Sequence, residues 1–149
     1  MQKAFIIGAI LFTLCKQQTF SQSADTTHTV KKTLPAFLKG TFGDDYGITY
    51  TINDTLFIQH PDAKYHIIDF DTTEQYLLIK NDNANKTGGG LFTRIDYLNL
   101  MGMEPWRWGF CLTIYDASTL EKAKAAIAAD RKNPKIGCMG FPFSRMKRL

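Results

Sequence analysis

The apolar positions of this chain fall into three regimes. From Ala4 to Leu14 they form one nearly unbroken run; from Leu34 to Tyr115 they alternate with polar residues; after Ser118 the period lengthens to that of a helix. In the middle regime, Ile48, Tyr50 and Ile52 lie on one face of a segment whose other face carries Thr49 and Thr51. Asn53-Asp54 turns the chain, a short strand follows over 55–59, His60-Pro61-Asp62-Ala63 breaks it, and strands resume over 65–70 and 75–80 around the Asp71-Thr72-Thr73 turn. Asn81 to Gly90 is a polar loop. Leu91 to Leu98 and the aromatic, β-branched stretch Trp106 to Tyr115 read as two further strands. Spacings of about ten residues with turn chemistry between them are those of an antiparallel meander.

The helical period opens on Ser118-Thr119-Leu120-Glu121, a capping box, and continues through the stripe Leu120, Ala123 and Ile127 to Asp130. Asn133-Pro134 ends it. Gly137 to Phe143 is irregular, with aromatics placed to cover an open end of the sheet. The expected fold is mainly β: an antiparallel meander of about seven strands curled into a barrel-like sheet, since closure hides the edges of so long a meander, with one C-terminal helix. The alternative is a flat sheet with the helix across one face.

The first regime changes the picture of where the protein works. A short basic start with Lys3, the apolar run and small residues at Thr19, Ser21 and Ser23 have the order of a secretory signal peptide over residues 1–23, cut after Ser21 or Ser23, so that the mature chain begins at Gln22 or Ala24. The run is too short to span a bilayer. Cys15 follows it directly, but Leu14 is too large for the position before a lipidated cysteine, so no lipid anchor is expected. A polar, Thr-rich leader over 24–33 precedes a single domain over 34–149, and the site of action is secreted or periplasmic.

Charge excludes one class of partner. The chain has 18 Lys+Arg and 14 Asp+Glu, a net charge of +4 that falls to about +2 when Lys3 and Lys16 leave with the signal peptide, too weak a field for nucleic acid. The two cysteines beyond the leader, Cys111 and Cys138, are expected to bond in an oxidising compartment, closing a loop of about 26 residues for roughly 3 kcal/mol of stabilisation.

Leu38-Lys39-Gly40-Thr41-Phe42, followed by Gly47 and the alternating 49–52, resembles the first hairpin of the calycins, the lipocalin and avidin-like barrels. Phe42 stands where those families carry Trp. The resemblance implies ligand binding inside a barrel and no catalysis.

Candidate chemistry is sparse. Asp44-Asp45 beside Gly43 and Gly47 is explained by turn formation, without the further oxygen ligands Ca²⁺ needs. His60 and His66, near Asp62 and Asp69, match no metal-ligand frame. No metal and no cofactor is expected. Ser144 lacks the flanking glycines of a nucleophile elbow and Cys111 is mid-strand, so no catalytic residue is assigned. The aromatic and cationic set is the most suggestive: Tyr46, Tyr50, Arg94, Tyr97, Trp106 and Trp108 are the expected ligand-binding residues, for a small apolar or sugar-like molecule or a partner protein. Strict alternation puts Trp106 and Trp108 on one face, and pairs Arg94 with Asp96 on the face opposite Tyr97. The basic tail, Arg145, Lys147 and Arg148, reads as a solvated terminus. The leading expectation is a non-enzymatic binding module. Its competitors are a small hydrolase using His60, His66, Asp44, Asp45 or Asp96, and a purely structural interaction domain.

Overall fold

The computed structural model describes residues 32–149. The expected signal peptide and its cleavage sites, Cys15 and most of the expected leader lie outside the described residues. Eight antiparallel strands follow one another around a closed barrel: β1 (Gly40–Asp44), β2 (Thr49–Ile52), β3 (Leu56–Gln59), β4 (Ala63–Asp71), β5 (Tyr76–Asn81), β6 (Phe92–Asn99), β7 (Trp106–Ala117) and β8 (Ser144–Arg148). Every neighbour in space is a neighbour in sequence except β1 and β8, which pair from Phe42–Arg148 to Asp44–Met146 and complete the ring. Among the described residues no helix is long and apolar enough to cross a membrane.

Alternation decides what fills the ring. Phe42, Tyr50, Ile52, Phe57, Leu77, Ile79, Ile95, Tyr97, Trp108 and Met146 are all buried in one interior cluster. Burying a side chain of this size contributes about 1.5–3 kcal/mol, and the rings add edge-on contacts such as Phe42–Trp108, with centroids 5.5 Å apart. The two ends of the barrel differ. At one end Leu34 and Leu38, from the approach to β1 and its single 3-10 turn (Ala36–Leu38), are buried in the same cluster, and Phe37 packs edge-on against Tyr97 at 6.1 Å. Asp54 in the β2–β3 turn holds this plug, accepting from the Leu34 amide at 2.9 Å and the Lys39 ammonium at 3.2 Å. Lys32, assigned to the leader, is likewise engaged, with Asp69 at 2.9 Å. Gly40 starts β1 at φ +132°, and an added Cβ would stand 2.6 Å from the Arg148 guanidinium, which stacks on Phe42. The positive φ is what requires glycine there, since the Arg148 head is the far end of a flexible side chain and can give way.

Three expectations are corrected. The basic tail, expected to be a solvated terminus, is strand β8, which joins the expected meander of about seven: Met146 is fully buried inside, while Arg145 and Lys147 lie over the Trp106 ring outside, at 4.9 and 5.7 Å. The helix is short. It runs only over Leu120–Lys124 (α1), capped by Thr119, whose hydroxyl accepts from the Lys122 amide at 3.2 Å. Beyond it Arg94 takes the carbonyls of Lys124 and Ala126, and Asp96 takes the amide of Ala129, so groups a longer helix would pair internally are bound to the barrel wall. Ile127, expected in the buried stripe, is 91% exposed. Finally, a register shift between Trp106 and Trp108 inserts a residue into β7, so the two tryptophans point to opposite faces. The expected disulfide is present: Cys111 and Cys138 lie 5.4 Å apart at Cα and staple the final loop to the outside of β7.

Candidate functional site

The end of the barrel opposite the plug is open. Leu112 pairs with Ile95 on the inner face of the sheet and yet remains 40% exposed, because none of the described residues caps it. A cavity of about 390 Å³ lies there, a size suited to a small ligand. Its floor is an aromatic layer, Tyr50, Phe57 and Phe110, with centroids 5.5–5.8 Å apart. Its walls are Asp44, Ile48, Gln59, Tyr65, Ile95 and Leu112, from β1 to β7 and the first turn. Its rim carries Tyr46, from that turn, and Phe141, from the stapled loop, 65% and 71% exposed. Both cysteines of the disulfide line it, so the bond that fixes the loop also fixes the rim. A second cavity of about 430 Å³ adjoins across Tyr65 and Leu112, which line both. Its polar wall is tied internally: Asn81 donates to the Gly88 and Tyr115 carbonyls, and Thr93 donates to Asn81 at 2.7 Å.

Asp44 and Tyr50 make the polar feature of the first cavity. Asp44 ends β1, and its Oδ1 accepts from the amides of Tyr46 at 2.9 Å and Ile48 at 2.7 Å, which shapes the turn as expected of an Asp there. Its Oδ2 accepts from the Tyr50 hydroxyl at 3.0 Å. Burial, and then the neighbouring Asp44 carboxylate, hold the Tyr50 hydroxyl far above the ordinary phenol range, so it stays protonated and donates. Burial also raises Tyr65.

Of the six expected ligand residues, the structure brings two to this cavity: Tyr50 in its floor and Tyr46 on its rim. Tyr97 and Trp108 face inward but lie in the core, and among the described residues Tyr97 Oη and Trp108 Nε1 have no hydrogen-bond partner. Trp106 lies outside the barrel under Arg145 and Lys147. Arg94 is also outside, stacked on Tyr76 at 4.3 Å and paired with Asp96 at 3.0 Å, on the face opposite Tyr97 as alternation requires. Asp44, Phe110, Leu112, Tyr65 and Phe141 were not singled out as ligand residues. Inward alternation was a signal for Tyr65 and Leu112; placing Phe141 beside them required knowing how the last loop returns.

Of the hydrolase set, Asp44 lines the cavity and the other four residues are engaged elsewhere. His60 pairs with Thr51 at 2.9 Å and His66 with Asp82 at 2.8 Å on the exposed surface; Asp45 holds Arg145 at 2.9 Å. Asp96 is fully buried on the outer wall, where it binds Arg94, Arg131 and Thr113 as well as the Ala129 amide. Among the described residues no three His, Cys, Asp or Glu side chains cluster as metal ligands would. A separate apolar surface, with Ile127, Ile136 and Met139 exposed, covers the segment between α1 and β8.

No family model, curated protein or solved structure matches the chain. The closed eight-stranded antiparallel barrel is compatible with the calycin resemblance of the first hairpin.

Proposed function

We propose that this protein is a secreted or periplasmic, non-enzymatic binding module that takes a small, largely apolar ligand into the open mouth of its barrel. The observation that carries the reading is the asymmetry of the two ends. One is plugged by Leu34 and Leu38; the other leaves an aromatic floor and exposed rim aromatics, Tyr46 and Phe141, around about 390 Å³ of space. Leaving large apolar side chains in water forgoes burial energy, and a ligand seated there recovers it. The calycin resemblance supports the same reading, and the disulfide fits an oxidising compartment.

The test is a fluorescence titration with neutral N-phenyl-1-naphthylamine. Saturable binding with one site per chain is expected, reduced at least tenfold by Leu112→Trp, which fills the space shared by the two cavities from an already exposed position. No saturable binding, or binding insensitive to Leu112→Trp in a protein with unchanged circular dichroism, would remove the mouth as the site and favour docking of a protein on the Ile127–Ile136–Met139 surface.

A further inference from the structure

The charge lining the mouth is of one sign. Among the described residues, Asp44 is the only ionisable acid or base of the 390 Å³ cavity apart from its tyrosines, and Asp116 holds the same place in the adjoining one. In a chain with more Lys and Arg than Asp and Glu, no cationic side chain among the described residues lines either cavity. The other fully buried carboxylate, Asp96, has Arg94 and Arg131, and of the half-buried ones Asp45 has Arg145 and Asp54 has Lys39. Asp44 is only 5% exposed, and no Lys, Arg or His lies within ion-pair distance of it among the described residues.

The turn does not explain the charge. It uses Oδ1 alone, for the Tyr46 and Ile48 amides, and an Asn side chain would supply that acceptor equally well. What Asp adds is Oδ2, which takes one hydrogen bond from Tyr50 and keeps acceptor capacity on a residue that lines the cavity. A carboxylate in a poorly hydrated wall is costly unless compensated, and its attraction for an incoming cation is correspondingly strong. Tyr46, Tyr65 and Phe141 line the same cavity, and aromatic rings carry the negative quadrupole that ammonium groups favour.

We infer that the ligand is a cation: a small organic ammonium whose apolar part rests on Tyr50, Phe57 and Phe110 and whose charged group meets Asp44. This rests on the reading of the mouth as a small-ligand site. It specifies the chemical class that enters.

Two probes with one skeleton test it by isothermal titration calorimetry at pH 7: 2-phenylethylamine, which is charged, and 2-phenylethanol, which is not. The amine is expected to bind at least tenfold more tightly than the alcohol. Asp44→Asn, which keeps the turn acceptor, should bring the amine to the alcohol's level while changing alcohol binding less than threefold, and Asp116→Asn should preserve the preference. Equal binding of the two probes to the unaltered protein overturns the cation assignment and leaves the cavity reading standing, and this comparison decides the matter even if Asp44→Asn folds poorly. A preference that survives Asp44→Asn, or that Asp116→Asn abolishes instead, overturns the role of Asp44. Binding of neither probe removes both readings.

Discussion

Replacing Asp96 with Asn tests how the barrel holds its C-terminal connection. Asp96 Oδ1 accepts from Arg94 at 3.0 Å and from Arg131 at 2.7 Å; its Oδ2 accepts from the Thr113 hydroxyl at 2.8 Å and the Ala129 amide at 3.2 Å. An Asn of the same shape retains one acceptor oxygen. If that oxygen stays toward the guanidiniums, its NH₂ group confronts the Ala129 N–H, two donors face to face, and the Arg94 guanidinium is left buried without a carboxylate. Breaking a buried ion pair from one side costs about 3–5 kcal/mol. Arg94 keeps the Lys124 and Ala126 carbonyls and the Tyr76 face, so the lower end, about 3 kcal/mol, is expected. For a domain of this size that lowers Tm by about 10–15 °C. Urea unfolding followed by near-ultraviolet circular dichroism gives the value, with Asp45→Asn as the control: its pair with Arg145 is partly exposed and should be worth less than about 1 kcal/mol. A loss of under about 1 kcal/mol for Asp96→Asn, or one no larger than the control's, would refute the assignment of Asp96 as the anchor.

Cys111→Ser/Cys138→Ser should cost about 2–5 kcal/mol, with hydrogen-exchange protection falling first at Asp130, Gly137 and Phe143, whose amides hold the stapled loop; a loss spread evenly over the strands would contradict that. The phenols of Tyr50, Tyr65 and Tyr97 are all raised, chiefly by burial. Their contribution is therefore complete below about pH 10, the unfolded value, and is lost as pH climbs from there towards the folded values, because the unfolded chain ionises first. The urea midpoint should fall above about pH 10, and phenolate absorbance from these three should appear together with unfolding; ionisation of all six tyrosines in a protein with intact near-ultraviolet circular dichroism would contradict it.

The meander was legible because alternation and turn chemistry agree from Gly47 to Tyr115, and the Cys111–Cys138 bond because only two cysteines follow the leader. Elsewhere a tertiary partner overrode a local pattern. The stripe Leu120, Ala123, Ile127 is helical in period, yet Arg94 and Asp96 capture the backbone beyond Lys124 and leave Ile127 in water. Ser144 to Arg148 resembles a frayed basic terminus until β1 and β7 offer it two edges and Met146 finds the core. One bulge sent Trp106 outward, which strict alternation cannot foresee. The mouth was half legible: Tyr46 and Tyr50 sit on the hairpin that suggested a binding barrel, whereas Asp44, readable as a turn residue, becomes a cavity wall only when Tyr65, Leu112 and Phe141 converge on it from three distant segments.

The central claim, that a small ligand occupies the open end, is tested most directly by nuclear magnetic resonance of the ¹⁵N-labelled protein titrated with 2-phenylethylamine. The account predicts saturable shifts confined to amides around the mouth, notably Tyr46, Ile48, Tyr65, Leu112 and Phe141, with those of Leu34, Leu38 and Gly40 at the plugged end unmoved. Shifts centred on Ile127, Ile136 and Met139, or none that saturate, would contradict it.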